Sequence, residues 1–509
     1  MESKNLFSNL FIFEMANNHM GDVQHGLRVI REFHNICSSF KEFNFAFKFQ
    51  YRDIETFIHN DYKNRTDIKY VKRFLETNIS ASEKKLLKSE AEKLGFITIC
   101  TPFDENSVDL IEEHGFSIIK IASCSFTDWP LLEKIAKTDK PIIASTAGAS
   151  LEDIDQVVLF FEHRGKTLCL MHCVGEYPTA ESNLQLNQID LLKNRYQGLT
   201  VGFSTHESPD NTDSIKIAIA KGAKVFERHV ALKTEKYDIN AYSSTPAQIH
   251  AWLKSASSAF AMCGDVSGER FAGSDKEKAD LRGLQRGVFA KTTIETGQSI
   301  DTSNTFYAIP NLENQIVAND MSKYIEFIST KSIKAGEPVT LPDVYTKNFR
   351  ADVLAIINKL KPLLTESKIA LSDKLEMELS HHYGIERFCE WGAAIINCIN
   401  REYCKKIIIL LPRQKHPVHF HKKKEETFHV LYGSVTVNLG GIEKTYKCGD
   451  IVVVEREVKH NFSSEDGAIF EEISTTHYKD DSFYDDENIA KNRKTAMTFW
   501  ADWLYKPIF

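Results

Sequence analysis

The stretch Phe96–Ser123 reads FITICTPFDENSVDLIEEHGFSIIKIAS and contains one repeating unit of the fold. Its first apolar run, Phe96–Thr101, is followed by a polar loop, a helical segment and a second run, Ile118–Ala122. This alternation is typical of a βαβ unit with parallel strands. The flanking sequence continues the pattern, with further runs at Leu10–Ala16, Phe45–Phe49, Pro141–Ser145, Thr167–His172, Thr200–Phe203 and Lys224–Val230. Eight such runs predict an α/β protein with a closed (β/α)8 TIM barrel over residues 1–275.

Length, charge and cysteine content restrict the class of protein. With 509 residues the chain is too long for a single core, so we expect several domains. The formal net charge of -7 argues against general nucleic-acid binding. The ten cysteines form no CxxC pair, which favours reduced thiols, and no run of about 18 apolar residues indicates a membrane span. We therefore expect a cytoplasmic protein without nucleic-acid or membrane partners.

The remaining sequence predicts three further parts. Residues 283–349 are rich in β signals, and TIETGQSI (Thr293–Ile300) recurs as SIKAGEPV (Ser332–Val339), which indicates a small pseudo-symmetric domain. Residues 350–404 begin with helical apolar spacing and predict a helical connector. Within residues 405–509, short alternating segments such as SVTVNLGG and DIVVVE predict a second, antiparallel β-barrel.

The active site of a TIM barrel lies at the carboxyl ends of its strands. The side chains predicted there are mostly polar: Glu14, Lys48, Gln50, Asp104, Lys120, Ser123, Ser145, His172, Ser204, His206 and His229. Lysines and hydroxyls suit a small ligand with phosphate and carboxylate groups. Two histidines on neighbouring strands, His206 and His229, could share a metal ion. Each residue alone is more often solvated or structural, but their combination favours a binding site.

The strand-end motifs resemble, in the same order, those of the sialic acid synthases, which include N-acetylneuraminate, legionaminate and pseudaminate synthases. The matching segments are EMANNHMGD (Glu14–Asp22), FKFQ (Phe47–Gln50), TPFD (Thr101–Asp104), KIAS (Lys120–Ser123), ASTAG (Ala144–Gly148), HCVGEYPT (His172–Thr179), GFSTHE (Gly202–Glu207) and ERHV (Glu227–Val230). The repeat in residues 283–349 resembles the antifreeze-like (SAF) domain of that family. The resemblance implies a transferase that condenses phosphoenolpyruvate with an open-chain sugar aldehyde, releasing phosphate to make a nonulosonic acid.

The same resemblance implies a role for each matching residue. Phosphoenolpyruvate would be bound by Lys48, Lys120, Ser123, Ser145 and Ser204. A divalent ion, Mn2+ or Mg2+, would be held by His206 and His229. The acceptor sugar would contact Gln50 and Tyr177, with Glu14 close to the reacting centre. The resemblance also implies a homodimer in which the SAF domain of one subunit covers the barrel of its partner.

Departures from the family pattern fall on the acceptor side. Ser125 stands where many members have Glu, and Gly175 stands where N-acetylmannosamine-using synthases have Asn. A length difference leaves either Asp238 or Asn240 to face the sugar, and the Arg-Pro step of the SAF domain reads Ile309–Pro310. We therefore expect an acceptor different from N-acetylmannosamine.

The segment HPVHFHKKKEETFHVLYG (His416–Gly433), followed by Gly449 and His460, resembles a cupin. A divalent Mn, Fe, Ni or Zn ion would be bound by His419, His421, Glu426 (or Glu425) and His460. The lysine-rich run is similar to that of lyxose-type isomerase cupins, so a bifunctional synthase and sugar isomerase is one alternative. A cupin that only binds or dimerises is another, as are a non-enzymatic sugar sensor with an inactive barrel and a condensation that makes an eight-carbon acid.

Overall fold

A computed structural model describes residues 6–264, 268–372, 374–491 and 496–504. The outer ends of the predicted barrel and cupin domains, residues 1–5 and 505–509, lie outside this set. The chain divides into two compact units, Met1–Arg270 and Phe271–Phe509. Among the described helices, none is both long enough and apolar enough to cross a bilayer.

The first unit is a closed barrel of parallel strands in sequence order. Its strands are β1 (Leu10–Glu14), β2 (Asn44–Tyr51), β3 (Ile97–Pro102), β4 (Ile118–Ile121), β5 (Ile142–Ser145), β6 (Leu168–Cys173), β7 (Thr200–Thr205) and β8 (Val225–His229). The barrel closes because β8 pairs in parallel with β1 as well as with β7. The predicted TIM barrel is confirmed.

Helices follow the strands around the barrel. They are α1 (Val23–Cys37), α2 (Ile54–Phe57), α3 (Lys69–Glu76), α4 (Ala81–Lys93), α5 (Glu105–His114), α6 (Trp129–Ala136), α7 (Leu151–Glu162), α8 (Asn187–Arg195), α9 (Asp213–Ala220) and α10 (Pro246–Cys263). Their ends are set by capping residues. For example, the Asp104 carboxylate accepts the Ser107 amide at the start of α5, and Gly115 (φ 72°) ends it in the left-handed conformation.

Strand periodicity divides the barrel interior into an apolar and a polar layer. Small and aliphatic side chains fill the interior below the site, including Ile12, Ile99, Met171 and Val225. On β8 the alternation places Val225, Glu227 and His229 on the interior face, whereas Phe226 stacks on Phe11 in the outer core. The polar layer therefore lies at the carboxyl ends of the strands.

The second unit begins with α11 (Asp275–Gly283) and a small β module. The module contains β9 (Gly287–Ala290), β10 (Ser299–Ile300), β11 (Thr305–Ala308), β12 (Ile325–Ser329) and β13 (Val344–Asn348). Its two sequence repeats contact each other, because Ile294 and Ile333 exchange backbone hydrogen bonds of 2.8 and 2.9 Å. Both repeats turn at a left-handed glycine, Gly297 (φ 82°) and Gly336 (φ 86°).

The prediction that residues 350–404 form a helical connector is wrong beyond Ser367. Only α12 (Arg350–Ser367) is helical, and the chain then forms β14 (Glu376–His381) and β15 (Gly392–Asn400). In β14 the apolar Met377 and Leu379 are buried, whereas Glu376 is exposed and Glu378 is partly buried. Both belong to the C-terminal sheet, since β14 pairs with β15 and β15 pairs with β16 (Tyr403–Leu410).

The C-terminal part is an antiparallel sheet that curls into the predicted cupin barrel. Its further elements are β17 (His419–Phe420), β18 (Glu426–Leu439), β19 (Ile442–Lys447), β20 (Ile451–Val454), β21 (His460–Ser463), β22 (Ala468–Thr475), β23 (Phe483–Tyr484), α13 (Glu487–Lys491) and β24 (Ala496–Trp500). One face of the sheet encloses an apolar core with Phe428 and Phe470, and α12 covers the other face through Ile356 and Leu360.

Substituting Gly202 tests the packing of β7 against β8. A Cβ atom there would lie 2.6 Å from the Val225 carbonyl oxygen, so Gly202→Ala should lower the free energy of unfolding by about 1–3 kcal/mol. The measurement is chemical denaturation of the full chain. Gly283→Ala is the matched control, because, apart from its chain neighbours and its own helix backbone, no described atom lies within 4 Å of its Cβ position. Equal effects of the two changes would contradict this account of the barrel wall.

Candidate active site and candidate metal centre

The polar layer of the barrel is organised around one buried carboxylate, Glu227 on β8. Lys48 Nζ lies 2.8 Å from Glu227 Oε1, and Lys120 Nζ lies 2.9 Å from Glu227 Oε2. All three side chains are almost fully buried. Two predicted lysines from different strands therefore meet at one point.

Glu14 completes this charge cluster from β1. Its carboxylate also pairs with Lys48. Burial raises the pKa of Glu14, although the Lys48 ammonium opposes the shift. Burial would also raise the pKa of Glu227, but the ammonium groups of Lys120 and Lys48 outweigh it and hold that pKa far below its usual range. Glu227 is therefore the fixed anion of the cluster, and Glu14 is the carboxyl group that more readily holds a proton.

The three predicted serines make different contacts at the strand ends. Ser204 donates to Glu227 Oε1 at 3.3 Å. Ser145 is buried at the end of β5, and the Ser123 hydroxyl accepts the Ala147 amide at 3.3 Å. Cys173, at the end of β6, is also buried beside this group, and burial raises the pKa of its thiol. Neutral donors thus lie next to the two ammonium groups.

The histidines fit a metal ion. The rings of His206 and His229 lie 5.3 Å apart between centroids, and His206 Nδ1 bonds the Val174 carbonyl at 2.9 Å. That bond requires the proton on Nδ1 and leaves the Nε2 lone pair free. Burial lowers the pKa of both rings, so they are neutral, which is the form that binds metals.

Aromatic and amide side chains flank the histidines where the acceptor is expected. Tyr177 packs on His206 with ring centroids 4.2 Å apart, and Tyr242 lies 5.2 Å from the ring of His229. Asn240 donates to Asn18 at 3.3 Å and accepts the Tyr242 amide. Asp238 instead pairs with Lys233 at 3.3 Å and is 88% exposed. Of the two alternatives, Asn240 is the residue beside the site.

Two predicted strand-end residues have other roles. His172 lies on the outer face of β6, where its Nε2 contacts the Leu184 carbonyl at 2.7 Å and its ring stacks on Phe203. The reason is strand parity, since Cys173 takes the interior position. Asp104 caps α5 and accepts the Asp53 amide at 2.8 Å. Glu227, Cys173 and Tyr242 were missed, although alternation back from His229 could have identified Glu227.

The cupin holds a second candidate metal centre. Ring nitrogens of His419, His421 and His460 lie within 4.8 Å of one another. Each Nδ1 bonds a backbone carbonyl, at 3.0, 2.6 and 3.0 Å respectively, so each Nε2 lone pair is free. Glu426 lies 3.0 Å from His460 Nε2, and both atoms are buried without a hydrogen-bond partner among the described residues. The alternative ligand Glu425 is exposed.

Further side chains hold the cupin ligands in place. Lys424 is buried between two carboxylates, pairing with Glu426 and lying 3.0 Å from Glu472. Asp481, from the acidic C-terminal stretch, accepts backbone amides of Lys422, Lys423 and Lys424. Glu457 takes the left-handed conformation (φ 63°) that a glycine usually takes.

Both parts of the chain match known protein families. The NeuB family matches residues 44–267, and the cupin domain family matches residues 406–472. The chain is 30% identical to N,N'-diacetyllegionaminic acid synthase of Campylobacter jejuni over 52% of this chain and 77% of that protein. It is 28% identical to N-acetylneuraminate-9-phosphate synthase of Mus musculus over 48% of this chain and 68% of that protein.

A solved structure, spore coat polysaccharide biosynthesis protein E of Chromobacterium violaceum, shares 52% identity and a TM-score of 0.64 over 66% of this chain and 99% of that chain. The fold thus defines a (β/α)8 barrel joined to a cupin, and the barrel is similar to synthases of N,N'-diacetyllegionaminic acid and of N-acetylneuraminate 9-phosphate. The chain belongs to the NeuB family of sialic acid synthases.

Glu227→Gln tests the charge cluster. It leaves Lys120 without its carboxylate partner, and breaking a buried pair costs about 3–5 kcal/mol, so hydrogen exchange in β2, β4 and β8 should accelerate. Folding lowers the pKa of Glu227, so the difference in exchange between Glu227→Gln and the unchanged protein should persist down to the pKa of the unfolded chain, about 4.3. The difference should be lost as the pH falls through the lower pKa of the folded protein. Asp67→Asn, which removes an exposed pair, is the control. Unchanged exchange in Glu227→Gln would contradict the proposed role.

Proposed function

We propose that the barrel is a nonulosonic acid synthase that condenses phosphoenolpyruvate with an open-chain sugar aldehyde and releases phosphate. The observation that carries this proposal is the meeting of Lys48 and Lys120 at Glu227, two residues before His229 on the same strand, β8. His229 forms a neutral pair with His206, which directly follows β7. This arrangement offers adjoining positions for an anionic enol phosphate and for a cation.

Phosphoenolpyruvate is assigned to the lysine side of the site. Two ammonium groups can form charge-assisted hydrogen bonds to its phosphate and carboxylate oxygens. The serine hydroxyls of Ser123, Ser145 and Ser204 add neutral donors. Because Glu227 binds both lysines before the substrate arrives, their side chains are already ordered, and less conformational entropy is lost on binding.

His206 and His229 are assigned as ligands of Mn2+ or Mg2+. When bound, this ion would polarise the aldehyde carbonyl as a Lewis acid. The chain itself orients the two reactants, so that carbon 3 of the enol phosphate can form a bond to the aldehyde carbon. The π bond between carbons 2 and 3 breaks in this step, and the aldehyde oxygen takes up a proton. Water then adds at carbon 2 and loses a proton, and the bond from carbon 2 to the phosphate oxygen breaks as the remaining hydroxyl proton passes to the leaving phosphate. Glu14, with its raised pKa, is placed beside Lys48 to take up a proton during water addition.

The acceptor is assigned as a sugar other than N-acetylmannosamine. Tyr177, Gln50 and Asn240 form its side of the site, whereas Gly175 supplies no side-chain amide there. We also assign residues 283–349 as the SAF domain and the protein as a cytoplasmic homodimer. The paired repeats support the domain assignment, and the free state of all ten cysteines suits a reducing compartment.

The test of the synthase is phosphate release from phosphoenolpyruvate with hexoses, N-acetylhexosamines and di-N-acetylated bacillosamine-type sugars. Lys120→Met and His229→Ala should each lower the rate by about a hundredfold or more, since transition-state contacts are worth several kcal/mol. Lys254→Met, an exposed lysine on α10, should leave the rate unchanged. Product mass would separate nine-carbon from eight-carbon acids. Release with no sugar of the panel would count heavily against the proposal.

The cupin is assigned a second function, metal-dependent isomerisation of a sugar that is or becomes the acceptor. The observation that favours this over a purely structural cupin is the buried Glu472, 3.0 Å from Lys424, which itself pairs with the ligand Glu426. A carboxylate next to a metal centre can move a proton between adjacent carbons of a sugar.

Metal content separates the two centres. The full chain should bind two divalent ions, and His419→Ala with His421→Ala should reduce this to one, because the barrel histidines remain. Plasma mass spectrometry of the purified protein measures the ratio. His429→Ala, a half-buried histidine outside the centre, serves as control. Unchanged metal content and unchanged sugar processing in the double variant would refute the cupin isomerase.

A further inference from the structure

A narrow cleft lies at the rim of the barrel mouth. It is formed by the ends of β1 and β2 and by the segment that joins α3 to α4, with Gln50, Arg52, Asn78 and Lys84 among its walls. Two cations line it, whereas none of its lining residues is Asp or Glu. The cleft differs in this from the charge cluster around Glu227, where each ammonium has a carboxylate partner.

Arg52 is held rigidly in this cleft. Its guanidinium carbon lies 3.6 Å from the ring centroid of Phe103 and 4.2 Å from that of Phe74. The side chain is only 9% exposed. One nitrogen, Nη2, donates to Gln50 Oε1 at 3.0 Å, while Nε is buried with no hydrogen-bond partner among the described residues. A buried donor is thus left unpaired next to the site.

Among the described residues neither cation forms an ion pair with a carboxylate, although the charges of Asp104 and Glu14 act on Arg52 and those of Asp104 and Asp53 act on Lys84. The carboxylate of Asp104 already accepts the amides of Asp53 and Ser107. Lys84 donates to the Arg52 carbonyl at 3.1 Å and lies 5.2 Å above the ring of Tyr51. Burial lowers the pKa of Arg52 to about 10, which still leaves it cationic at neutral pH. Buried charge without a partner is costly, so an anionic ligand would stabilise this arrangement.

The cleft adjoins the acceptor side through Gln50. Because Arg52 donates to Gln50 Oε1, the amide nitrogen of Gln50 remains a donor towards the site. We propose that this cleft binds an anionic group of the acceptor sugar, a phosphate monoester or a carboxylate, remote from the reacting aldehyde. This inference rests on the proposed synthase, since it assigns the acceptor class for that same site.

Equilibrium binding to the full chain tests the cleft independently of turnover. Calorimetric titrations with N-acetylmannosamine, N-acetylmannosamine 6-phosphate, glucuronic acid and inorganic phosphate compare neutral with anionic ligands. At least one anionic sugar should bind about tenfold or more tightly than the neutral one, and Arg52→Met should remove that advantage. Arg52→Lys should restore part of it. Lys85→Met, an exposed neighbour of Lys84, should change nothing.

Phosphoenolpyruvate binding is the internal control, because it should be unchanged in Arg52→Met if the variant is folded. Equal binding of neutral and anionic sugars, or an Arg52→Met variant that keeps the preference, would overturn the proposal. Arg52-dependent binding of inorganic phosphate alone would overturn the assignment to an acceptor. Arg52-dependent binding of an anionic sugar without phosphate release from phosphoenolpyruvate would support the cleft and contradict the synthase.

Discussion

A single buried carboxylate determines how the barrel site is built. Glu227 holds two ammonium groups from strands that are distant in sequence, and the same ammonium groups lower the pKa of its carboxyl, which favours the charged form. Without it, Lys120 would be a desolvated cation with no partner. The site therefore depends on a buried anion that holds the two cations of the polar layer in position.

Much of the barrel could be predicted from the sequence because its physical signal is repeated. Each strand is an apolar run of the expected length, and the chemistry is concentrated where the runs end. What failed was the assumption that the last residue of a run faces inwards. His172 and Cys173 differ by one position, and the alternation of side chains places the thiol inside and the imidazole outside. Which residues of a strand face the barrel interior must therefore be counted in steps of two from a residue known to lie inside.

The cupin shows a different limit of prediction. Its ligand spacing identified His419, His421 and His460 correctly as a cluster, because motif residues on paired strands are brought together by register. The supporting residues could not be predicted. Lys424 belongs to a run of three lysines of which the other two are exposed. Asp481 contacts the same loop although it lies more than fifty residues further along the chain. Contacts of high sequence separation leave no local pattern.

Strands β14 and β15, which lie where a helical connector was predicted, belong to the C-terminal sheet. Helix α12 and strands β14 and β15 share one apolar cluster with Ile407, Ile409 and Ile469 of the sheet. A fragment that begins at residue 405 would lack β15, so β16 would become an edge strand. It would also lack α12, so the apolar face of the sheet would be exposed, and both changes favour aggregation. A portable cupin unit must therefore include at least α12, β14 and β15, and the compact unit that contains them begins at Phe271.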